Sequence, residues 1–286
     1  MNICKTIAQV RAAHDPFRHG RKTLGLVPTM GALHEGHLSL VRTAKAQCDV
    51  VAVSIFVNPT QFGPNEDFSK YPRTFERDCT LLDNEHVDLL FAPSVEEMYP
   101  RHAVTYVTVE GLSDKLDGRS RPGHIRGVTT VVAKLFHILE PDKAFFGQKD
   151  AAQAAIIRRM VRDLNLPVDI VVCPIVREPD GLAMSSRNAY LDPQQRKCAL
   201  ALRRSLLAIE ELFKQGERSP EKLIVAGKKI FSAEPSIRLD YLEIVDPDSL
   251  DPVSEISRPA LVAVAAYVGP TRLIDNVVLE PVVAES

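Results

Sequence analysis

Two histidines flank a glycine in the segment His34-Glu35-Gly36-His37, which follows an apolar run and opens a predicted helix. The first backbone N–H groups of a helix bind anions, and imidazoles can donate hydrogen bonds to the same anion. The pair therefore favours a triphosphate site, although a single histidine here would more simply be part of a polar loop. A metal site is disfavoured because no nearby cluster supplies further ligands. The GxGxxG and GxxxxGK[ST] motifs are absent, which argues against Rossmann-type dinucleotide binding and against P-loop binding of a nucleotide.

A second turn with polar residues, Gly147-Gln148-Lys149-Asp150, follows another apolar run. An ammonium at such a turn can bridge phosphate oxygens, and a carboxylate can accept hydrogen bonds from ribose hydroxyls. The alternative is that Asp150 is an ordinary residue of a helix N-terminus and Lys149 is solvated. Gln153 lies one helical turn after Lys149 and is predicted to face the same crevice.

Two further loops carry groups suited to small ligands. The segment Met184-Ser185-Ser186-Arg187 follows a Pro-Asp-Gly turn, and its hydroxyls and guanidinium can neutralise charge that develops as pyrophosphate leaves. Phe56 and Phe62 surround Gln61, which is typical of a small pocket with one amide to orient a ligand. Both loops also have simpler interpretations, a polar surface loop and a turn whose aromatic rings pack into the core.

Short apolar runs alternate with helical patterns through the first 176 residues, and this alternation predicts a parallel sheet with helices on both faces. Ligands of such sheets bind outside the carboxyl ends of the strands. The predicted strands are Thr23–Val27, Val50–Val57, Asp88–Phe91, Val104–Val109, Lys143–Phe146 and Val168–Cys173. The predicted helices begin near Gly36, after Arg73, at Gly127 (to Leu139) and at Asp150 (to Asn165).

The pattern changes beyond residue 176 to two helices followed by three strands, which indicates a small α+β domain. Ser219 is the expected N-cap of the second helix, with Pro220 at its first position. These elements are predicted at Pro193–Gln215, Ser219–Phe231, Arg238–Val245, Leu261–Val268 and Leu273–Leu279. The fold class is therefore α/β, with a Rossmann-like domain at 1–176 and a smaller α+β domain at 177–286 that begins with the Met-Ser-Ser-Arg loop. Residues 281–286 are expected to be disordered.

Composition narrows the possible partners and compartment. The 286-residue chain has a formal net charge of -2 and scattered basic residues, which argues against binding nucleic acid or an anionic membrane. No segment approaches the roughly 20 apolar residues that cross a bilayer. The five cysteines include no C-x-x-C pair, and buried free thiols indicate a reducing compartment, by default the cytoplasm.

Six motifs in order resemble the pantoate–β-alanine ligases, a family within the nucleotidyltransferase superfamily that includes class I aminoacyl-tRNA synthetases. They cover nearly the whole chain. The motifs are VPTMGALHEGH (Val27–His37), FVNPTQF (Phe56–Phe62), YPRT (Tyr71–Thr74), RPGHIRGV (Arg121–Val128), FFGQKD (Phe145–Asp150) and DGLAMSSRN (Asp180–Asn188).

The resemblance implies an ATP-dependent ligase that converts pantoate to pantoyl-adenylate, from which β-alanine displaces AMP to give pantothenate. It implies that His37, His34 and Lys149 are catalytic and that Gln61 and Gln153 hold pantoate, with Gln61 also near β-alanine. It further implies Mg²⁺, bound mainly through phosphates and water, with Asp78 at the family's carboxylate position, and a homodimer. The implied ATP-binding residues are Met30, Gly31, Ala32, Leu33, His34, Glu35, Gly36, His37, Gly147, Gln148, Lys149, Asp150, Val176, Met184, Ser185, Ser186 and Arg187.

This sequence departs from the family pattern at two places. Gln148 stands where Glu is usual, and Ala151 and Ala152 replace a customary aromatic residue and Gln, which puts pantoate affinity in doubt. Two rival functions stay open on the residues alone. An adenylyltransferase would release pyrophosphate without needing an amine, and a regulatory module would bind ATP and catalyse nothing.

Overall fold

The computed structural model describes residues 1–64, 66–234 and 236–281, and these divide into two compact units. Unit 1 comprises Met1–Gly147 and Ile156–Pro174, and unit 2 comprises Gln148–Ala155 and the chain from Ile175 onward. The short segment Gln148–Ala155 thus groups with the C-terminal part of the chain, which a single boundary after residue 176 does not provide for. Of the tail for which disorder is expected, residues 282–286 lie outside the described part.

Unit 1 is built on a six-stranded sheet in the order β1-β4-β3-β2-β5-β6, with every pairing parallel. Valine and leucine fill the central strands, which are buried on both faces because helices cover a parallel sheet on both sides. The strands are β1 (Asn2–Cys4), β2 (Leu24–Thr29), β3 (Val50–Ile55), β4 (Leu89–Phe91), β5 (Lys143–Gly147) and β6 (Asp169–Cys173).

The helices of the first 174 residues connect these strands. They are α1 (Ile7–His19), α2 (Glu35–Gln47), α3 (Phe75–Asn84), α4 (Val95–Met98), α5 (Asp117–Ser120), α6 (His124–Leu139) and α7 (Ala151–Asp163), with short 3₁₀ turns η1 (Pro59–Gln61) and η2 (Gln148–Asp150). β2 connects to β3 on one side, and its other neighbour, β5, connects to β6 on the other side. The chain connections therefore leave the carboxyl ends of β2 and β5 in opposite directions along the sheet. This is the position at which open α/β sheets bind ligands.

Unit 2 has a three-stranded antiparallel sheet in the order β7-β8-β9. Its elements are η3 (Ser186–Tyr190), α8 (Pro193–Lys214), α9 (Pro220–Ser232), β7 (Ile237–Val245), β8 (Ala260–Val268) and β9 (Thr271–Leu279). Apolar residues of both helices, such as Leu206 and Leu223, share a core with Val262 and Val264 of β8. As predicted, the Ser219 hydroxyl accepts from the Lys222 N–H and Pro220 begins α9.

The predicted fold class, a Rossmann-like α/β domain with a smaller α+β domain, is confirmed. One predicted strand, Val104–Val109, is wrong because residues 103–109 form no strand. Their backbone instead bonds to hydroxyls of α6: Val107 N–H donates to Thr130 Oγ1, and Thr129 Oγ1 donates to Val107 O. Val104 and Tyr106 are 82% and 48% exposed, so the alternating apolar pattern here marks no buried face of a sheet.

β1 and α1 are elements that the sequence analysis missed. α1 is capped by Thr6 and Gln9, which form a reciprocal capping box, and it contains Pro16. All five cysteines are free, as expected. No helix in the described ranges is long and apolar enough to span a bilayer.

Candidate active site

The loop between β2 and α2 is held in an unusual backbone conformation. Gly31 and Ala32 both have positive φ angles, of 79° and 51°. At Gly31 a Cβ atom would meet Asp78 Oδ2 and Ile55 Cγ2, each at 3.1 Å, so the left-handed turn and the close approach both favour glycine. Thr29 Oγ1 accepts from the Gly31 N–H and donates to Ser54 O, which fixes the end of β2.

The carboxylate of Asp78 binds this loop from α3. Its Oδ2 accepts from the Ala32 N–H at 2.8 Å, and its Oδ1 accepts from the Leu33 N–H at 2.9 Å and from Thr74 Oγ1 at 3.0 Å. The residue is 1% exposed. Both oxygens of Asp78, which the resemblance assigns to Mg²⁺, therefore accept hydrogen bonds from the protein. No group of three or more His, Cys, Asp or Glu residues suited to a metal occurs in the part of the chain that the structure describes.

The two histidines of the loop are linked through the start of α2. His34 is the N-cap residue: its Nδ1 accepts from the Gly36 N–H at 3.1 Å, and its own N–H donates to His37 Nδ1 at 3.3 Å. The rings lie 4.1 Å apart between centroids. Because Nδ1 of each ring accepts a backbone hydrogen bond, each neutral ring carries its proton on Nε2. Both side chains are therefore held as Nε2–H donors at a helix N-terminus, where anions are favoured.

Gln61 lies in η1 and contacts the same loop at Met30. Its Nε2 donates to the Met30 sulfur at 2.9 Å, and its Oε1 accepts from Asn58 Nδ2 at 3.2 Å. Asn58 is 1% exposed and also donates to Gly127 O, while its Oδ1 accepts from the hydroxyl of Tyr99. The amide of Gln61 is thus oriented by a buried network rather than left mobile.

The motif Arg121–Val128 supports the backbone of Gln61. At Gly127 a Cβ atom would lie 2.6 Å from both Cα and N of Gln61, so glycine is required for α6 to approach η1. His124 Nδ1–H donates to Gln61 O at 2.8 Å, and the Arg121 guanidinium donates to His124 Nε2 at 2.9 Å and to both oxygens of Glu66. A guanidinium only donates, which fixes the histidine tautomer. Burial and then the nearby Arg121 charge lower the pKa of His124 to about 4.

In unit 2 the turn Gln148–Asp150 is held by β9. The Asn276 amide donates to Gln148 O at 2.8 Å and to Lys149 O at 2.9 Å, and Asn276 Oδ1 accepts from Gln148 Nε2 at 3.0 Å. Asn276 is 3% exposed. Lys149 lies 3.8 Å from the carboxylate of Asp150. The side-chain amide of Gln148 therefore donates to a buried acceptor, Asn276 Oδ1.

The loop from Val176 to Arg187 carries the other predicted residues of unit 2. The Met184 N–H donates to Val176 O at 3.0 Å, which brings these two predicted ATP-binding residues together. Arg177, the residue after Val176, forms two hydrogen bonds to the buried carboxylate of Asp275. Ser185 caps η3 by accepting from the Arg187 N–H. Ser185, Ser186 and Arg187 thus begin a short, capped helical turn anchored to β9.

The family model for pantoate-beta-alanine ligase matches residues 2–278 of this chain. The chain belongs to the pantoate–β-alanine ligase family.

Relatives and solved structures of the family agree with this assignment. The pantothenate synthetase of Koribacter versatilis is 61% identical over 98% of this chain and 96% of its own, and that of Thermotoga neapolitana is 59% identical over 98% and 100%. The crystal structure of pantothenate synthetase from Thermus thermophilus superposes with a TM-score of 0.93 at 49% identity, covering 97% of this chain and 99% of that one. The Francisella tularensis pantoate-beta-alanine ligase, solved with beta-gamma ATP and β-alanine, has a TM-score of 0.77 at 36% identity and covers 97% of both chains.

The predicted site residues of this family member fall into two sets. Those in unit 1 lie at or near the carboxyl ends of the central strands. Those in unit 2 lie in Gln148–Ala155 and in the loop from Val176 to η3, and each of these segments bonds to β9. The first set is Met30–His37, Gln61, Asp78 and Gly147. The second set is Gln148, Lys149, Asp150, Gln153, Val176, Met184, Ser185, Ser186 and Arg187.

Sequence reasoning assigned no role to several residues that hold these sets in place. Asn58, Arg121, His124 and Gly127 lie inside quoted family motifs, so their positions were visible but their contacts were not. Asp275 and Asn276 lie in β9, where alternation marks them as ordinary strand residues. Their burial, at 3% exposure each, is the signal that separates them from a solvated strand face.

Proposed function

We propose that this chain is an ATP-dependent ligase that condenses pantoate with β-alanine to give pantothenate, AMP and pyrophosphate. The observation that carries the proposal is family membership over residues 2–278, which includes every motif named above. The Francisella tularensis relative, solved with an ATP ligand and β-alanine, supports the choice of substrates.

In the first step a carboxylate oxygen of pantoate attacks the α-phosphorus of ATP. A bond from that oxygen to phosphorus forms, the bond to the bridging oxygen breaks, and pyrophosphate leaves with the electron pair. Negative charge grows on the leaving group, so fixed donors lower the barrier. His34 and His37, as Nε2–H donors at the start of α2, suit this role, and Lys149 would add a full positive charge.

In the second step the amine of β-alanine attacks the acyl carbon of pantoyl-adenylate. The new C–N bond forms, the acyl C–O bond breaks, AMP leaves, and the amine proton passes to solvent. No protein nucleophile is needed because adenylation has already made the carboxylate oxygen a good leaving group. The protein mainly holds the two reactants in line, an effect that can be worth many orders of magnitude.

The ATP site would comprise Met30–His37, Gly147–Asp150, Val176 and Met184–Arg187, with Asp150 near the ribose and Val176 near the adenine. The amides of Ala32 and Leu33 are bound to Asp78, so phosphate contacts of this loop would come from the imidazoles and the helix N-terminus. Gln61 and Gln153 would hold pantoate. Ala152 is buried, and the small side chains of Ala151 and Ala152 would leave that pocket less tightly packed.

Mg²⁺ would enter as the complex with ATP phosphates, as its reluctance to lose water favours. Asp78 does not fit as its ligand, because its carboxylate is 1% exposed, already accepts three protein hydrogen bonds and belongs to no metal-suited cluster in the described residues. We further propose a cytoplasmic homodimer and two domains, 1–176 and 177–286. Light scattering on the purified chain tests the dimer, and limited proteolysis tests the domain boundary.

The first experiment measures AMP and pyrophosphate release with ATP and Mg²⁺, adding pantoate and β-alanine singly and together. Sustained AMP formation that requires both substrates is the expected result. Sustained pyrophosphate release without β-alanine would instead identify an adenylyltransferase. An absence of release under all conditions would leave a nucleotide-binding module.

A further inference from the structure

The carboxylate of Asp78 lies beneath the ATP-binding loop rather than beside open solvent. It accepts from two consecutive backbone N–H groups of that loop, Ala32 and Leu33, and from the Thr74 hydroxyl. Successive N–H groups in a left-handed turn form a concave anion-binding surface, and here the anion is a side chain of the same chain. Hydrogen bonds to a charged acceptor are about twice as strong as neutral ones.

These contacts determine a conformation that the loop would not adopt alone. Ala32 has a φ of 51°, which non-glycine residues rarely adopt and which persists only where surrounding contacts impose it. Arg77, from the same turn of α3, donates to Leu33 O, so α3 binds both the amide and the carbonyl of Leu33. The next residue is His34, the N-cap of α2, and its orientation follows from this anchor.

We propose that Asp78 is a positioning residue that holds the two histidines for ATP, and that it does not bind Mg²⁺. Magnesium requires near-octahedral oxygen ligands and keeps several waters. Asp78 is 1% exposed, and it borders a cavity of about 660 Å³ whose walls include Ile55, Phe56 and Phe75. The other carboxylate that lines this cavity, Glu97, accepts from the Ile7 N–H, and the two do not form part of any metal-suited cluster of three or more His, Cys, Asp or Glu residues in the described ranges. The inference deepens the proposed ligase function and rests on it for the identity of the nucleotide.

The test replaces Asp78 with Asn, which keeps the shape but turns an NH₂ group towards a backbone N–H. We expect turnover to fall about 100-fold, as small misplacement of reacting groups does. The magnesium concentration for half-maximal rate, measured with ATP held as its complex, should not change. In EDTA, without any metal, the variant should bind a non-hydrolysable ATP analogue about 10-fold more weakly than the wild type.

A metal ligand behaves in the opposite way. A rise in the magnesium requirement, with rescue of turnover at high Mg²⁺ and unchanged analogue binding in EDTA, would overturn the proposal. Full activity and normal binding in Asp78→Asn would overturn it as well. The binding measurement does not depend on turnover. If the wild type binds the analogue but forms no pantothenate, the proposed reaction is wrong, and the binding comparison still tests the role of Asp78.

Two further variants keep the test decisive if Asp78→Asn does not fold. Thr74→Val removes only the hydroxyl donor, so analogue binding in EDTA should weaken by about 3-fold to 10-fold with the same magnesium requirement. Glu76→Gln removes one negative charge from the exposed side of the same helical turn and should behave like the wild type. Equal effects in Thr74→Val and Glu76→Gln would mean that general charge or stability, rather than loop anchoring, is responsible.

Discussion

His34 and His37 each accept a backbone hydrogen bond at Nδ1, and their rings lie 4.1 Å apart. The donor to His37 is the N–H of His34 itself, and the donor to His34 is the N–H of Gly36. This reciprocal arrangement has the geometry of a helix capping box in which imidazoles replace the usual hydroxyl and carboxylate. It keeps Nε2–H as the donor of each neutral ring.

Replacing His37 with Ala should lower the rate of pantoyl-adenylate formation by about 100-fold to 1000-fold, as loss of one transition-state donor does. His37→Gln should retain part of the rate because its amide NH₂ reaches close to the position of Nε2. Single-turnover pyrophosphate release in the absence of β-alanine measures this step. His19→Gln, at an exposed histidine of α1, is the control and should be unchanged. Wild-type rates in His37→Ala would remove this side chain from the reaction.

Gly127→Ala should displace Gln61 because the added methyl group would lie 2.4 Å from Thr60 O and 2.6 Å from the Gln61 backbone. We expect a higher KM for pantoate and a free energy of unfolding lower by about 1–3 kcal/mol, typical of overpacking. Steady-state kinetics and urea unfolding measure the two effects. Gly20→Ala is the matched control, since its nearest neighbours would lie at 3.4 Å. An unchanged pantoate KM in Gly127→Ala would contradict the support of Gln61 by α6.

The partly buried His124 predicts a specific acid sensitivity. Its pKa is lowered to about 4 in the folded protein, against about 6.5 when unfolded, so the unfolded state binds the proton first. The free energy of unfolding should therefore fall as pH drops from 6.5 to 4, by about 3 kcal/mol from this residue. Above pH 6.5 the residue adds no pH dependence. The groups facing it are Arg121, Glu66 and Asp117.

Urea unfolding of the wild type and of His124→Asn between pH 4 and pH 7.5 measures this contribution. Asn keeps a donor for Gln61 O but does not titrate, so the difference between the two proteins isolates His124 from the carboxylates. The wild type should lose more stability than the variant over this interval. Parallel curves for the two proteins would mean that the imidazole becomes protonated without cost.

The sequence predicted most strands and helices because apolar periodicity and caps are local properties. The β2–α2 turn, with its His-x-Gly-His segment, was located in this way, and α2 begins one residue before the predicted Gly36. Val104–Val109 failed because the partner of that segment is Thr129 and Thr130, more than 20 residues away. An alternating apolar pattern predicts a strand, and it does not report that the backbone of the segment bonds to a helix instead.

The motifs of the candidate site were recognisable in the sequence, but the contacts that hold those motifs in place were not. The resemblance implies that Asp78 accompanies Mg²⁺, and only its contacts with Ala32 and Leu33 reveal an internal acceptor. Asn276 reads as a strand residue, yet its amide binds the backbone of Gln148 and Lys149 more than 120 residues away. Such contacts depend on tertiary proximity, which a single sequence does not encode in any local pattern.

Asn276 also explains why Gln148 is suited to this chain. The Asn276 NH₂ group is committed to two carbonyl oxygens, so its Oδ1 faces Gln148 and requires a donor there. In Gln148→Glu an ionised carboxylate would face Asn276 Oδ1, and two acceptors would repel each other. Rotating the amide of Asn276 would only turn Oδ1 towards the carbonyl oxygens of residues 148 and 149, which are also acceptors. We expect the turn that carries Lys149 to loosen and the KM for ATP to rise about 10-fold, the cost of one unpaired buried polar group.

The matched control is Gln194→Glu, which makes the same chemical change at an exposed position in the first turn of α8, where negative charge is tolerated. Asn276→Ala should reproduce the rise in ATP KM, because it removes both donors to the turn. Combining it with Gln148→Glu should add little, since the conflicting oxygen is already gone. Steady-state kinetics in ATP measures all four proteins. Additive effects in the double variant would show that Gln148 and Asn276 act on ATP separately.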